Sequence, residues 1–467
     1  MICLFDTLRR EVVELRPRTP GEVSLYVCGP TVYDVPHLGH ARTAVTYDVL
    51  RRYLTWRGLT VSMVSNITDI DDKIIARAAE EGSSEADVAA RFSDVYIREL
   101  EALGVAAPDE RPRATEYVDE MVSFTAELLA RGVAYVIDGA GVYFDVGRYP
   151  DYGRLPGRSP EGLLEGAGAR VAVDERKRDP LDFALWKAAK EGEPTWDAPW
   201  MPGRPGWHIE CVAMALGLLG DGFDIHGGGS DLIFPHHENE RAEAEAAGRR
   251  FARLWMHSAM VNVEGEKMAK SAGNFRTLAD VLAVHDPRAL RLAMLQAHYR
   301  STMEIDEAVL ASAAAGVQRL DAFARRVGAL GAPGGGSGAA PTPDCGEARA
   351  AFAAAMDDDL GTPAAVAAIF DLARWGNVRL DESDAVGAIE ALATVQELCG
   401  ALGLEVGPTG RADEDDGRDA VQRRVDERDA ARRARDYATA DEIRSELATA
   451  GIELEDTPAG TVWRRVR

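Results

Sequence analysis

The fold is decided near the N-terminus by Val23-Ser24-Leu25-Tyr26-Val27-Cys28, an alternating run rich in residues that favour strands. Leu38 to Arg57 then has the pattern of a helix that stops at Gly58, and Thr60-Val61-Ser62-Met63-Val64-Ser65 predicts a second strand. Strand, helix and strand in so short a stretch predict a βαβ unit with parallel strands and a right-handed crossover. Such a unit opens a doubly wound, Rossmann-type α/β sheet, which binds ligands at the carboxyl ends of its strands.

The rest of the chain is organised around this sheet. Residues 110–200 mix helix and strand signals with frequent Gly and Pro, which predicts an insertion. The sheet resumes with Gly222-Phe223-Asp224-Ile225-His226, and an Ala-rich helical pattern begins near Asp306. The predicted architecture is a first half of the sheet domain (1–110), a connective insertion (111–200), a second half of the sheet domain (201–305), a helical bundle with a Gly-rich linker at 331–338 (306–410) and a small α+β domain (411–467).

The composition excludes several classes of protein. The 467 residues are 46% hydrophobic and 28% charged, as in soluble globular proteins. No apolar run approaches the roughly 18 residues of a membrane span, and the N-terminus is charged where a signal peptide is apolar, so we predict a cytoplasmic protein without a membrane partner. Five scattered cysteines do not form a disulfide framework.

Charge is unevenly distributed along the chain. The net charge of −24 argues against binding nucleic acid over the whole surface, but it leaves room for a local basic site. Arg418 to Arg467 is neutral, with eleven Arg and eleven Asp plus Glu. In this segment Asp419 to Arg435 predicts a charged helix, Thr439-x-x-Glu442 a capping box before another helix, and Ile452 to Arg464 a small hairpin.

A first motif, Pro36-His37-Leu38-Gly39-His40, lies between the first strand and its helix. A helix N-terminus offers N–H groups and a positive dipole end to an anion. Two imidazoles three residues apart share a helical face, and Gly39 lets a nucleotide approach the backbone. His37 and His40 therefore suit donation to phosphate oxygens, although these residues alone equally fit an ordinary helix start.

A second motif, Lys267-Met268-Ala269-Lys270-Ser271, lies about 230 residues further on. Two lysines near a glycine can neutralise a pyrophosphate leaving group from a loop that closes over it. Taken alone, the motif fits a solvated basic loop better.

A third set of residues could hold a metal. Cys28 ends the first strand, Cys211 follows Gly206-Trp207-His208-Ile209-Glu210, and His236 and Glu240 would share one face of a helix. Two thiolates, an imidazole and a carboxylate make a plausible tetrahedral Zn²⁺ site. Spacing leaves His237 open as the imidazole ligand, and isolated cysteines are usually core residues.

Together the first two motifs resemble the paired signatures of class I aminoacyl-tRNA synthetases, with Ala269 where that class usually has Ser. Longer segments are similar to the cysteinyl-tRNA synthetase family over nearly the whole chain. They are Cys28-Gly29-Pro30-Thr31-Val32-Tyr33-Asp34, Asn66-Ile67-Thr68-Asp69-Ile70-Asp71-Asp72-Lys73, Gly206-Trp207-His208-Ile209-Glu210-Cys211, His226-Gly227-Gly228-Gly229-Ser230-Asp231-Leu232, Phe234-Pro235-His236-His237-Glu238-Asn239-Glu240 and Gly460-Thr461-Val462-Trp463-Arg464.

The resemblance implies L-cysteine, ATP with Mg²⁺ and tRNA(Cys) as substrates of a monomeric enzyme with one Zn²⁺ per chain. It implies that Cys28, Cys211, His236 and Glu240 hold the zinc, which the substrate thiolate joins, so that serine is rejected without an editing site. The implied cysteine pocket is Cys28, Thr68, Trp207 and His226. The implied nucleotide site is Gly39, Gly227, Gly228, Gly229, Asp231, Lys270 and Ser271, and the implied catalytic residues are His37, His40, Lys267 and Lys270.

The C-terminal segment resembles the family's anticodon-binding domain. Its helix could contact phosphates through Arg423, Arg424, Arg428, Arg432, Arg433 and Arg435, although a solvated helix with Arg–carboxylate pairs is as good an interpretation for each. This segment argues against one rival, a mycothiol-pathway ligase that joins cysteine to an amino sugar. A second rival, a non-catalytic binding protein derived from a synthetase, disagrees with the intact motif residues.

Overall fold

The computed structural model of the chain describes residues 1–158, 162–164, 175–263, 266–267, 277–330, 343–407, 418–434, 436–457 and 460–465. Two compact units make up the chain, Met1–Phe323 with Ala339–Val406 and Ala324–Gly338 with Gly407–Arg467. Within the described ranges, we find no helix with the length and apolar character needed to cross a bilayer.

The strands run over Cys3–Asp6 (β1), Glu11–Glu14 (β2), Glu22–Val27 (β3), Thr60–Ser65 (β4), Ala134–Ile137 (β5), Gly141–Phe144 (β6), Phe183–Ala188 (β7), Gly203–Pro205 (β8), Phe223–Gly229 (β9), Ala252–Ser258 (β10), Val261–Val263 (β11), Glu266–Lys267 (β12), Met303–Glu304 (β13), Ile452–Thr457 (β14) and Gly460–Arg465 (β15). The helices run over Leu38–Trp56 (α1), Asp72–Glu81 (α2), Glu85–Ala102 (α3), Val118–Ala130 (α4), Trp207–Leu219 (α5), Glu238–Ala246 (α6), Leu278–Val284 (α7), Pro287–Leu295 (α8), Glu307–Gly328 (α9), Pro343–Asp357 (α10), Thr362–Asp381 (α11), Ala385–Ala401 (α12), Arg418–Arg433 (α13) and Tyr437–Thr449 (α14).

A central sheet of four parallel strands, in the order β10-β9-β3-β4, confirms the predicted α/β fold class. β3 and β4 pair in parallel across the α1 crossover, so the predicted strand–helix–strand unit is present. Gly58, with φ of +84°, takes the left-handed conformation just after α1 and turns the chain into β4. The carboxyl ends of all four strands therefore meet at one edge of the sheet, where a ligand site is expected.

A second, antiparallel sheet, β5-β6-β7-β8, is inserted between β4 and β9. Residues at the predicted start of the insertion still run beside β4 and the segment after it, because Val64 bridges Glu110 and Ile67 bridges Arg113. The return strand β8 ends just before α5. This helix is buried from His208 to Ala215, as its almost uniformly apolar sequence predicts.

Helix α6 is polar in sequence yet buried from Glu238 to Ala244. Polar contacts compensate the burial of Glu238, whose carboxylate accepts from the Gly153 N–H at 2.9 Å and the Leu155 N–H at 2.8 Å. The Arg241 guanidinium donates to Glu238 at 3.1 Å. These contacts hold the first turns of α6 against the inserted segment and thereby fix Glu240.

Helices α10, α11 and α12 pack against one another as the predicted helical bundle, which contacts α1. The Trp56 indole N–H donates to the Glu397 carboxylate at 3.0 Å, and the Tyr53 hydroxyl to Asp357 at 2.7 Å. The bundle is thus bonded to the helix that begins at the histidine motif.

In the second unit, α13 and α14 pack on the antiparallel hairpin β14–β15 around the apolar side chains Val421, Val425, Ile443, Leu447 and Ile452. The hairpin prediction is confirmed, but the capping-box prediction is wrong. Asp436 is the N-cap of α14, and its carboxylate accepts from the Thr439 N–H at 3.2 Å and hydroxyl at 2.8 Å. An acidic residue three positions earlier is a good cap, so Thr439 falls inside the helix.

Candidate active site

A cavity of about 470 Å³ opens at the carboxyl ends of the parallel strands. Its volume suits a small ligand. Cys28 follows β3 directly, and Gly229 ends β9. The charged and aromatic side chains that line the cavity are Tyr33, Asp34, His37, His40, Tyr47, Lys73, Tyr96, Arg111, Trp207 and Asp231.

His37 and His40 lie together in this cavity, with ring centroids 3.9 Å apart. His37 is the N-cap of α1 rather than a residue within it, and its Nδ1 accepts from the Gly39 N–H at 3.0 Å. The Nδ1 of His40 accepts from the His37 N–H at 3.2 Å. A Cβ on Gly39 would lie 2.8 Å from the His37 ring, so this glycine makes room for the imidazole.

Both imidazoles are neutral at ordinary pH. Burial, reinforced by His37 and Lys73, lowers the pKa of His40 to about 3, and burial also lowers the pKa of His37. A neutral imidazole whose Nδ1 accepts a hydrogen bond carries its proton on Nε2. The pair therefore offers N–H donors, not positive charges.

We expect the free energy of unfolding to fall as the pH is lowered from 7 to 5, in part because of His40. An unfolded histidine titrates near 6.5, whereas folded His40 has a pKa of about 3. Only the unfolded state takes up this proton below pH 6.5, so stability is lost there, by about 2 kcal/mol at pH 5. Urea unfolding at pH 7, 6 and 5 measures it, and His40→Gln should flatten the dependence. His285→Gln, outside the cavity, serves as control, and equal pH dependence for wild type and His40→Gln would contradict the prediction.

The four predicted metal ligands come together beneath the cavity. All are buried, and their ligand atoms lie within 4.8 Å of one another. The Cys28 sulfur lies 3.6 Å from the Cys211 sulfur and 3.3 Å from Glu240 Oε1. His236 Nε2 lies 3.6 Å from the Cys211 sulfur and 2.8 Å from Glu240 Oε1. His236 stands in the turn just before α6, not on that helix as predicted, yet it still faces Glu240.

A second set that could hold a metal shares two of these residues and adds His226 and His237. The Nε2 of His226 lies 2.6 Å from Glu240 Oε2. Direct contacts favour His236 as the imidazole ligand, because its Nε2 lies 2.8 Å from Glu240 Oε1 and 3.6 Å from the Cys211 sulfur. Its Nδ1 bonds His208 Nδ1 at 2.9 Å, and Trp207 stacks on it at 4.0 Å. Such contacts orient a ligating imidazole.

The electrostatics of the cluster suit a cation. Burial raises the pKa of the Cys28 thiol well above its usual value. Burial also opposes ionisation of Cys211, but contacts from Cys28 and His236 lower its pKa overall. Burial would raise the pKa of Glu240, yet His236, His226 and His237 hold it well below its usual range. A buried carboxylate and two buried thiols are stabilised as anions by a divalent metal.

The remaining predicted pocket residues separate into two groups. Trp207, Gly229 and Asp231 line the cavity. Thr68 and His226 are buried behind it, with the Thr68 hydroxyl accepting from Asn66 at 3.2 Å.

Two glycines of the predicted nucleotide site have packing reasons for being glycine. A Cβ on Gly227 would lie 2.4 Å from the Tyr47 ring, and one on Gly228 would lie 2.8 Å from the His237 ring. Close packing in the strand β9 therefore accounts for these two positions without any ligand.

Of the second motif, Lys267 to Ser271, the structure describes only the first residue. Lys267 ends the short strand β12, where it pairs with Asn262 of β11. Ala269, Lys270 and Ser271 lie outside the described residues, so their predicted roles stay predictions.

Two polar residues that the sequence did not single out support the site. The Asn66 side-chain oxygen accepts from the Gly29 N–H at 2.9 Å, and its amide reaches Thr68. The Tyr47 hydroxyl donates to the Met256 carbonyl at 2.6 Å and accepts from the Gly228 N–H at 2.7 Å. Asn66 stands in a quoted motif and could have been found, whereas Tyr47 looks like any core aromatic of α1.

In the second unit, two of the arginines predicted to bind phosphates contact other residues of the protein instead. The Arg428 side chain is 3% exposed and donates to the Thr461 hydroxyl at 2.9 Å. The prediction that Arg428 contacts phosphates is therefore wrong, because the side chain is buried. Arg424 pairs with Glu427 and Glu446, as the alternative interpretation expects. The side chains of Arg423 and Arg435 lie outside the described part.

The comparisons with known proteins agree with this geometry. Residues 14–315 match the family described as tRNA synthetases class I (C) catalytic domain, and residues 351–406 match the DALR domain. A Mycobacterium tuberculosis methionyl-tRNA synthetase in complex with methionyl-adenylate has a similar fold, with a TM-score of 0.58 and 17% identity, covering 82% of this chain and 89% of that one. A LeuRS ternary complex from Agrobacterium radiobacter aligns with a TM-score of 0.60 and 12% identity, over 84% and 85%. The match of residues 14–315 to this family model therefore identifies the chain as a class I aminoacyl-tRNA synthetase, and the fold agrees.

Curated relatives narrow the family further. A cysteine–tRNA ligase from Halorhodospira halophila is 49% identical, and one from Thioalkalivibrio sulfidiphilus is 48% identical; each alignment covers 100% of both chains. The chain belongs to the cysteine–tRNA ligase family.

Proposed function

We propose that this enzyme activates L-cysteine with ATP and transfers it to the terminal adenosine of tRNA(Cys). The observation that carries the proposal is the buried Cys28, Cys211, His236 and Glu240 set beside the cavity of a class I sheet. The cysteine carboxylate attacks the α-phosphorus of ATP and pyrophosphate leaves. The ribose hydroxyl of tRNA then attacks the activated carbonyl and AMP leaves.

The donor set fits zinc. Tetrahedral Zn²⁺ with bonds of about 2.0–2.3 Å separates its ligands by about 3.3–3.8 Å. The Cys28–Cys211, Cys28–Glu240 and Cys211–His236 contacts, at 3.6, 3.3 and 3.6 Å, lie in that range, and His236–Glu240 at 2.8 Å is slightly closer. Bound zinc supplies a borderline-soft Lewis acid that favours a thiolate over an alcohol.

The cavity lining supports the assignment of the amino-acid and nucleotide ends. Cys28 and Trp207 mark the end next to the metal set, with Thr68 and His226 behind them. We assign Gly229 and Asp231 to the nucleoside, and His37 and His40, which line the same cavity, to the phosphates as N–H donors. We assign the pyrophosphate to Lys267, Lys270 and Ser271, and we expect Mg²⁺ to accompany ATP. These assignments remain predictions from sequence.

The tRNA site is assigned to the C-terminal unit. Tyr437 supports it, because its side chain is 62% exposed and exposed aromatic rings stack on unpaired bases. The monomeric state and the cytoplasmic location also remain predictions from sequence.

The alternative function, ligation of cysteine to an amino sugar, is not favoured. The alignments with cysteine–tRNA ligases cover the whole chain, including the C-terminal segment that such a ligase lacks. An acceptor assay with labelled cysteine and ATP tests this directly. We expect cysteine to reach tRNA(Cys) and not the amino sugar, and the reverse result would overturn the proposal.

Lys270→Ala should slow cysteine-dependent ATP–pyrophosphate exchange by about 10²–10³-fold, because one charge that stabilises the departing pyrophosphate is lost. The KM for cysteine should change little, since that contact belongs to the transition state of phosphoryl displacement. Lys190→Ala is a matched control: this lysine is 73% exposed and pairs with Glu193. Normal exchange by the Lys270 variant would remove this residue from the proposed mechanism.

A further inference from the structure

The cavity extends past the two histidines to an end that neither signature motif accounts for. This end is lined by Tyr33, Lys73, Tyr96 and Arg111. Lys73 stands in the first turn of α2, where its backbone N–H donates to the N-cap carboxylate of Asp71 at 3.0 Å. This N-cap contact therefore fixes the position of the Lys73 backbone at the start of α2.

Neither basic side chain at this end forms a close ion pair with a described carboxylate. Within the described part of the chain, no carboxylate oxygen lies within 4.0 Å of Lys73 or Arg111. The Lys73 ammonium lies over the Tyr33 ring, 5.0 Å from its centroid, and Arg111 is half-buried near Tyr96. Glu101 is the carboxylate that attracts Arg111, but it forms no ion pair with it, so a bound anion would add charge-assisted hydrogen bonds to this guanidinium.

The charged groups are ordered along the cavity. The His40 ring lies 6.4 Å from the Tyr96 ring at the basic end, centroid to centroid, whereas the carboxylate that acts on His37 is Asp231. The stacked histidines thus lie between an acidic end and a basic end. A nucleoside hydroxyl suits a carboxylate, whereas phosphates suit cations.

The histidines cannot neutralise a triphosphate because they are uncharged at neutral pH, as shown above. Of the described side chains that line the cavity, Lys73 and Arg111 are those that carry a full positive charge. A triphosphate that runs from Asp231 past His37 and His40 would place its terminal phosphates at this basic end.

We infer that Lys73 and Arg111 form a binding site for the β- and γ-phosphates of ATP and for the pyrophosphate that leaves. The site holds pyrophosphate by charge-assisted hydrogen bonds. This inference rests on the proposed adenylation of cysteine.

The test is steady-state ATP–pyrophosphate exchange with the full-length enzyme. Lys73→Met and Arg111→Met should each raise the KM for pyrophosphate or lower kcat/KM for ATP about tenfold, and the double variant about 100-fold, with the KM for cysteine within twofold. Lys73→Arg should restore most of the loss because it keeps the charge. Arg77→Met is the control: this cation lies one turn further along α2, outside the cavity, and pairs with Glu81.

The outcomes separate this inference from the proposed function. If the wild-type enzyme shows no cysteine-dependent exchange, the proposed function fails. If it exchanges normally and the double variant keeps its KM values for ATP and pyrophosphate within twofold, the phosphate site is refuted. Loss of tRNA charging alone also refutes it, because the two cations would then serve the acceptor end. If the double variant is misfolded by circular dichroism, Lys73→Gln and Arg111→Gln, tested singly, decide between the same outcomes.

Discussion

Replacing Cys211 by serine is expected to remove the metal and to lower cysteine activation by more than about 100-fold. A loss of 10–100-fold is typical when only an outer-shell partner of a metal is removed, and Cys211 belongs to the proposed ligand set. Its sulfur lies 3.6 Å from both Cys28 and His236, so a hydroxyl there leaves a poorer donor at the centre of the cluster. Metal content by mass spectrometry and pyrophosphate exchange measure the two effects independently.

Cys3→Ser provides the matched control because Cys3 lies in β1, outside the cluster. It should keep one zinc per chain and normal exchange. A Cys211→Ser protein that keeps its full complement of zinc would refute the assignment of this residue. If His236→Ala keeps its zinc and His237→Ala loses it, the second donor set is the correct one.

Local sequence pattern was enough to predict the core of the fold. The alternation in Glu22–Val27, the helix from Leu38 to Trp56 and the left-handed turn at Gly58 are set by neighbouring residues, and each lies where the pattern placed it. The order of the sheet was not predictable in this way. β9 lies beside β3 in the sheet, although these two strands are far apart in sequence.

The burial of polar segments could not be predicted from local sequence either. Helix α6 has the sequence of an exposed helix, and its burial follows from the backbone N–H groups of Gly153 and Leu155 that bond to Glu238. Arg428 likewise looks like a surface cation, and Thr461 of the hairpin holds it inside. Hydrogen bonds between distant segments decide these cases, and a single sequence does not reveal them.

The candidate metal set was predicted by residue type and resemblance, and the structure places its four members together. Spacing alone could not choose between His236 and His237, because they lie four and three residues before Glu240 and both spacings share a helical face. The difference lies in what surrounds each ring: His208 and Trp207 hold His236, whereas His257 bonds His237 at 2.9 Å. Packing of this kind is a property of the folded chain.

Deleting the residues after Gly407 is expected to separate the two steps of the reaction. The residues assigned to adenylation precede residue 272, and the deleted part belongs to the second compact unit. Pyrophosphate exchange should therefore stay within a few-fold of wild type. Transfer to tRNA should fall by about 10³-fold at low tRNA concentration, chiefly through weaker binding, because phosphate contacts and base stacking are lost together.

Two measurements on one truncated preparation, exchange and aminoacylation, test this expectation, with the fold checked by circular dichroism and by metal content. The full-length enzyme should lose transfer as salt rises, since released counterions drive part of tRNA binding, whereas its exchange should respond less. Tyr437→Ala is the point variant that isolates base stacking, and Arg424→Ala is its control, because Arg424 is already paired with Glu427 and Glu446. If a folded truncated enzyme charges tRNA as well as the full chain does, the second unit is not the anticodon-binding domain.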